Sequence, residues 1–131
     1  MAGILSVSEV ALWVEDVERA LAFYRDHLGF RVLDHDPGRN AFLGAGDFLL
    51  VLFSSADPGT DLARDYLART GGPRGAVYHV AFRLDPGELD GYAQGLREGG
   101  LAVRGPVDFP NGRRSYFLED PDAHYLELTD R

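Results

Sequence analysis

SEVALWVEDVERALAFYRDHLGFRVL, residues 8–33, changes its rhythm twice. Residues 8–14 alternate sides as a strand does. Asp16 then offers an N-cap side chain. Val17, Ala20, Leu21, Tyr24 and Leu28 recur at helical spacing, and Gly29 supplies a stop. Phe30–Leu33 reads as a second strand. The stretch is therefore strand, helix of about three turns, strand.

Two further strands follow. Asp36–Asn40 is a turn, and residues 40–43 and 47–53 read as strands joined through Gly44 and Gly46. The first half is thus βαβββ. Residues 54–75, SSADPGTDLARDYLARTGGPRG, break the pattern with Gly, Pro and small polar residues at both ends. They read as a linker, with a short helix over 61–69. The second half starts again with a strand over Val77–Leu84. Asp85-Pro86-Gly87-Glu88 predicts a helix start, with Asp85 as N-cap. Leu89, Tyr92, Ala93 and Leu96 form its apolar stripe, and Gly99-Gly100 ends it. Strands are expected at 102–104, 114–118 and 124–129.

The halves superpose by number. A shift of 70 sets Val7 on Val77, Glu9 on His79, Ala11 on Ala81 and Gly29 on Gly99. Near the ends the shift is 76, and Leu50, Val51 and Leu52 meet Leu126, Glu127 and Leu128. This is an internal duplication. The expected fold is α+β: two tandem βαβββ modules forming curved mixed sheets around a cavity, with helices on the outer face. One domain spans residues 1–131, with module one at 4–53, the linker at 54–75 and module two at 76–130.

Composition narrows the function classes. The chain has 131 residues, 45% apolar and 26% charged, as ordinary globular domains do. It has no cysteine, which excludes disulfides, thiolate metal sites and cysteine nucleophiles. A net charge of −8 and a pI near 4.8 argue against a general nucleic-acid or anionic-membrane surface. The opening MAGILSVSEV has no basic segment followed by a long apolar run, so no signal peptide is expected. Nothing is long and apolar enough to span a membrane. A cytoplasmic protein is the expectation.

Strand alternation assigns faces. Val10, Leu12 and Val14 should pack on the first helix, leaving Glu9, Ala11 and Trp13 opposite. In module two that opposite face carries His79, Ala81 and Arg83, then Ser115 and Phe117, then Tyr125, Glu127 and Thr129. Glu9, His79 and Glu127 would share one concave surface. Carboxylates there need a partner or a cation. One imidazole and two carboxylates suit a divalent ion: Fe, Mn, Ni or Zn. Plainer readings exist. Glu9 could pair with Arg83, and Glu127 with Arg113 or Arg114. Trp13, Phe117 and Tyr125 could be simple core, although aromatic walls also suit small-molecule pockets. His27, His35 and His124 read as solvated.

VALWVEDVERALAFYRDHLGFRV (10–32), YHVAF (78–82) and SYFLEDPDAHYLELTD (115–130) together resemble the vicinal oxygen chelate superfamily. That superfamily includes glyoxalase I, bleomycin-resistance proteins, fosfomycin-resistance transferases and extradiol dioxygenases. The resemblance covers both modules. It implies four ligand positions, here Glu9, Val51, His79 and Glu127, of which Val51 cannot bind metal. Two His and one Glu are common in the family's dioxygenases and fosfomycin transferases. Glu9 stands where the first His is usual. Glyoxalase I uses all four positions, so Val51 counts against that activity. Phe117 stands where a phosphonate-binding Tyr is expected. The resemblance also implies a homodimer, in which each site takes Glu9 from one chain and His79 and Glu127 from the other; the alternative is closure within one chain, which the linker could span.

Two function classes follow. The first is a metal-dependent enzyme on a small organic substrate with vicinal oxygens. A dioxygenase is the leading form, and lyase or isomerase chemistry stays open. Glu9, His79 and Glu127 would be metal ligands. Trp13, Arg83, Ser115, Phe117 and Tyr125 would contact substrate, with Arg83 orienting an anionic group and Ser115 hydrogen bonding. The second is a metal-free drug-binding protein of the bleomycin-resistance type.

Overall fold

The computed structural model describes residues 3, 5, 7–73 and 78–131. The chain divides into two compact units, Met1–Gly75 and Ala76–Arg131. Module one holds β1 (Glu9–Val14), α1 (Val17–Asp26), β2 (Arg31–Asp36), β3 (Asn40–Ala45), β4 (Phe48–Ser54) and α2 (Asp61–Thr70). Module two holds β5 (Val80–Arg83), α3 (Leu89–Glu98), β6 (Arg104–Asp108), β7 (Arg114–Glu119) and β8 (Tyr125–Thr129). The fold is α+β and duplicated. Each unit contains a four-stranded mixed sheet, ordered β1-β4-β3-β2 in the first and β5-β8-β7-β6 in the second. In both, the first strand lies parallel beside the last, and the other pairings are antiparallel.

Module one forms as its pattern dictates. The Asp16 carboxylate accepts from the Arg19 amide at 3.0 Å and caps α1. Val17, Ala20, Leu21, Phe23 and Tyr24 are buried on the face that packs on β3 and β4. Leu43, Leu50 and Leu52 are fully buried in the same core. Each such leucine contributes about 1.5–3 kcal/mol by leaving water. The chain turns after α1 at Gly29, whose φ of +71° suits glycine. The expected helix in the linker is α2, capped by the Thr60 hydroxyl and ended by left-handed Gly71.

Module two departs from expectation at three places. The expected strand start at Val77 lies outside the described residues, and β5 runs only from Val80, so His79 sits just ahead of it. Asp85 is not the N-cap of α3. Residues 85–88 form a separate turn closed by the Glu88 amide on the Asp85 carbonyl at 2.9 Å, and the helix starts at Leu89. Pro86-Gly87 favours that tight turn over a first helical turn. Third, β6 starts at Arg104 rather than Ala102. Gly105 has φ +122°, and a Cβ there would stand 2.9 Å from the Ser115 carbonyl oxygen, so the strand passes close to β7 only as glycine.

Of the α3 stripe, Leu89, Ala93 and Leu96 are buried and Tyr92 is half-buried. Polar ties fasten this helix to its sheet. The Tyr116 hydroxyl donates to Asp90 at 2.6 Å, Arg114 bridges Asp90 and Asp108, and the Arg97 guanidinium lies 5.5 Å over the Tyr116 ring. Among the described residues, no helix is long and apolar enough to cross a membrane.

Candidate functional site

The chemistry of module two gathers on the sheet face away from α3. In β8, Leu126 and Leu128 point to the helix side and are fully buried. Glu127 between them therefore points the other way, in register with Ala81 of β5 and Phe117 of β7. It is 4% exposed. A carboxylate so buried requires a cation or several donors.

Arg113 supplies the cation. Its Nη2 donates to Glu127 Oε2 at 2.6 Å, and its Nε donates to Thr129 Oγ1 at 2.9 Å. Thr129 is itself tied to the Arg114 carbonyl at 3.2 Å. A turn over Phe109–Gly112 delivers Arg113 to this place, closed by the Phe109 amide on the Arg113 carbonyl at 2.8 Å. His79 Nε2 lies 3.7 Å from the same Glu127 oxygen. His79 Nδ1 is buried without a hydrogen-bond partner among the described residues.

These groups floor an open groove of about 730 Å³. Tyr78, His79, Val107, Phe109, Phe117 and Glu127 are among its lining residues. Behind Phe117, Tyr125 stacks at 5.5 Å and 12°, and Tyr78 stacks on Tyr125 at 6.1 Å and 23°. The groove thus has an aromatic wall and a charged floor, the composition of a small-molecule site.

Other candidate residues lie elsewhere. Ser115 is fully buried under the sheet surface, its Oγ without a partner among the described residues. Arg83 is exposed on β5, in register with Thr129. Glu9 and Trp13 belong to module one. Glu9 is exposed at the start of β1. Trp13 stacks on Tyr66 of α2 at 6.1 Å and 15° and lies 6.0 Å from Phe53. Ala11, Trp13, Phe53, Leu62 and Tyr66 help line an apolar pocket of about 300 Å³. Val51 is fully buried.

Sequence reasoning named Arg113 only as one of two partners for Glu127, and alternation could have chosen between them. Arg113 shares parity with Ser115 and Phe117 and turns to the groove. Arg114 shares parity with Tyr116 and Leu118 and turns to α3, where Asp90 and Asp108 hold it. Both carboxylates are held below their ordinary value of 3.8, Asp90 first by the Tyr116 hydroxyl and then by Arg114, Asp108 first by Arg114. The aromatic role of α2 had no signal beyond Tyr66, because that segment read as a linker.

The donors in module two fit part of a divalent-ion site. An imidazole nitrogen and a carboxylate oxygen, each bonding a tetrahedral zinc at about 2.0–2.2 Å, stand roughly 3.4 Å apart. The observed 3.7 Å needs only a small closure. Within this module no third His, Asp or Glu among the described residues joins them.

A duplicated βαβββ chain with an aromatic groove and a His–Glu pair defines a class of small two-module α+β proteins. The chain belongs to the Glyoxalase/Bleomycin resistance protein/Dioxygenase superfamily, whose family model matches residues 6–128. It is 31% identical to the protein YwkD of Bacillus subtilis over 134 residues, covering 96% of this chain and 97% of YwkD. The fold resembles the crystal structure of lactoylglutathione lyase from Agrobacterium tumefaciens, with a TM-score of 0.73, 28% identity and coverage of 95% and 92% of the two chains. It equally resembles TnmS3, an antibiotic binding protein from a Streptomyces species, with a TM-score of 0.72, 27% identity and coverage of 98% and 97%. A lyase and a binder stand at similar distance, so the fold alone does not choose between their functions.

Proposed function

We propose that this protein is a metal-dependent enzyme acting on a small organic substrate with neighbouring oxygens. The observation that carries this reading is the His79–Glu127 pair, 3.7 Å apart on the floor of an aromatic groove. His79 Nε2 and Glu127 Oε2 would hold the ion, and Glu9 would complete the set from a second copy of the chain. The ion would supply Lewis-acid polarisation of two substrate oxygens. Phe117 and Tyr78 would wall the groove and exclude water, with Tyr125 stiffening the wall from behind. Arg83 would meet an anionic substituent. Trp13 would offer an aromatic contact from module one. Ser115 is too buried to reach substrate in this arrangement.

Lyase or isomerase chemistry suits the donor set better than dioxygen chemistry. Non-haem iron oxygenases are marked by two His and one carboxylate. One His and two carboxylates depart from that pattern. Oxygen uptake during turnover of a catechol-like diol would restore the dioxygenase reading.

The test is stoichiometric. Chelator-stripped protein titrated with Mn, Fe, Ni and Zn should take up one divalent ion per chain, and Glu127→Gln should lose it. No uptake of any of the four contradicts the proposal. Subunit mixing tests the shared site. Neither Glu9→Ala nor Glu127→Ala alone should bind the ion, but a mixed dimer of the two should regain a single site. A site closed within one chain would stay broken in the mixture.

A metal-free binding protein is the second reading. The Arg113–Glu127 bond favours it, since the buried carboxylate already has a cation. Saturable quenching of Trp13 fluorescence by a cationic aromatic drug in the presence of chelator would support it.

A further inference from the structure

We propose that Arg113 is a built-in rival of the metal, a guanidinium that neutralises Glu127 until a divalent ion displaces it. This rests on the reading of His79 and Glu127 as ion ligands. Arg113 Nη2 already donates to Glu127 Oε2 at 2.6 Å, and that oxygen is the one facing His79 Nε2 at 3.7 Å. A metal bonding that oxygen at about 2.0–2.2 Å would meet the guanidinium charge at close range. In this low-exposure setting the two cations repel strongly. The Glu127 side chain is 5% exposed, so water screens the conflict poorly.

The rival is held in place. Thr129 Oγ1 accepts a hydrogen bond from Arg113 Nε at 2.9 Å, and the 109–112 turn fixes the backbone that leads into it. The adjacent arginine cannot assume the same duty. Arg114 is committed to Asp90 and Asp108 on the other face of the sheet. Filling the site is therefore an exchange of one positive group for another. The exchange keeps Glu127 neutralised when no ion is present, and it weakens the ion's apparent affinity.

Mn(II) binding followed by electron paramagnetic resonance reads this directly on the full chain, with thermal melts run with and without Mn(II). Arg113→Gln should bind Mn(II) about tenfold tighter or more, because breaking a buried pair leaves its carboxylate seeking a cation. Its melting temperature should fall without Mn(II) and recover more than wild type when Mn(II) is added. Thr129→Val removes the Nε anchor, along with the hydroxyl's own bond to the Arg114 carbonyl, and should shift affinity in the same direction by less. If Arg113→Gln does not fold, Thr129→Val carries the test. Equal or weaker Mn(II) binding by the folded variants overturns the rivalry while leaving the ion site standing. Absence of Mn(II) and Zn(II) binding in wild type and variants alike overturns the ion site itself, and the rivalry with it.

Discussion

Module one and module two build the same sheet in the same strand order, yet place opposite chemistry at matching positions. Val51 of β4 and Glu127 of β8 are equivalent under the shift of 76, and both are buried. Glu127 is buried because Arg113 and His79 meet it. Val51 has no such need, and by the strand registers Gly38 stands where Arg113 stands in module two. The pocket of module one is apolar, walled by Trp13, Phe53 and Tyr66. The groove of module two has an ionic floor. The duplication has kept the scaffold and divided the labour: one copy supplies apolar surface, the other holds charge. Burying a charge takes several coordinated residues, so charge persists only in the copy that has them all.

The largest effect should come from forcing the two copies to match. Val51→Glu buries a carboxylate with no Arg113 equivalent on the sheet face that also carries Glu9, and should cost about 3–5 kcal/mol. Urea denaturation monitored by Trp13 fluorescence would measure it. A loss well below that would mean module one can neutralise a buried acid after all.

The hairpin turns before the last strands sharpen the comparison. In module two the Asp120 carboxylate accepts from the amides of Asp122 and His124 at 2.9 and 2.8 Å. Asp120→Ala leaves those amides without that acceptor and should cost about 1–3 kcal/mol by the same denaturation measurement. Module one turns instead at Gly46, with φ +56°, while module two uses Ala123 at φ +66°. A side chain in that region costs about 1 kcal/mol. Ala123→Gly should therefore stabilise by about 1 kcal/mol, and Gly46→Ala should destabilise by about the same. Gly46 has open space around it, so backbone conformation alone is at stake.

The smallest effect is one of pH. Asp90 and Asp108 are held below 3.8, chiefly by Tyr116 and Arg114 respectively. A depressed acid stabilises the folded state above the unfolded value and loses that contribution as pH falls through the folded one. Stability should decline as pH drops below 3.8, and Asp90→Asn should flatten that slope. Acid titration of the denaturation midpoint checks it. An unchanged slope would remove the Asp90–Arg114–Tyr116 cluster from the account of how α3 is fastened.

Much of this was legible in the sequence because it is periodic. Two modules, the helix stripes and the helix-side strand faces all follow from spacing, and the shift by 70 and 76 exposes the repeat. What escaped was local competition. The Asp85-Pro86-Gly87-Glu88 run carries helix-start and turn signals together, and the turn won. Arg113 and Arg114 are neighbours of equal charge, separated only by which face each meets. Trp13 read as core or pocket wall, and its stacking partner sits in a segment read as linker. Contacts between distant segments leave no periodic trace.

An ion that binds module two's His79–Glu127 pair has to displace Arg113 from the carboxylate. A crystal structure of the full chain grown with Mn(II) or Zn(II) tests it most directly. Anomalous density is expected at metal–ligand distance from His79 Nε2 and Glu127 Oε2, about 2.0–2.2 Å for Zn(II), with Arg113 Nη2 moved off the carboxylate. Density absent from that point, with Arg113 still bonded to Glu127 at saturating metal, would contradict it.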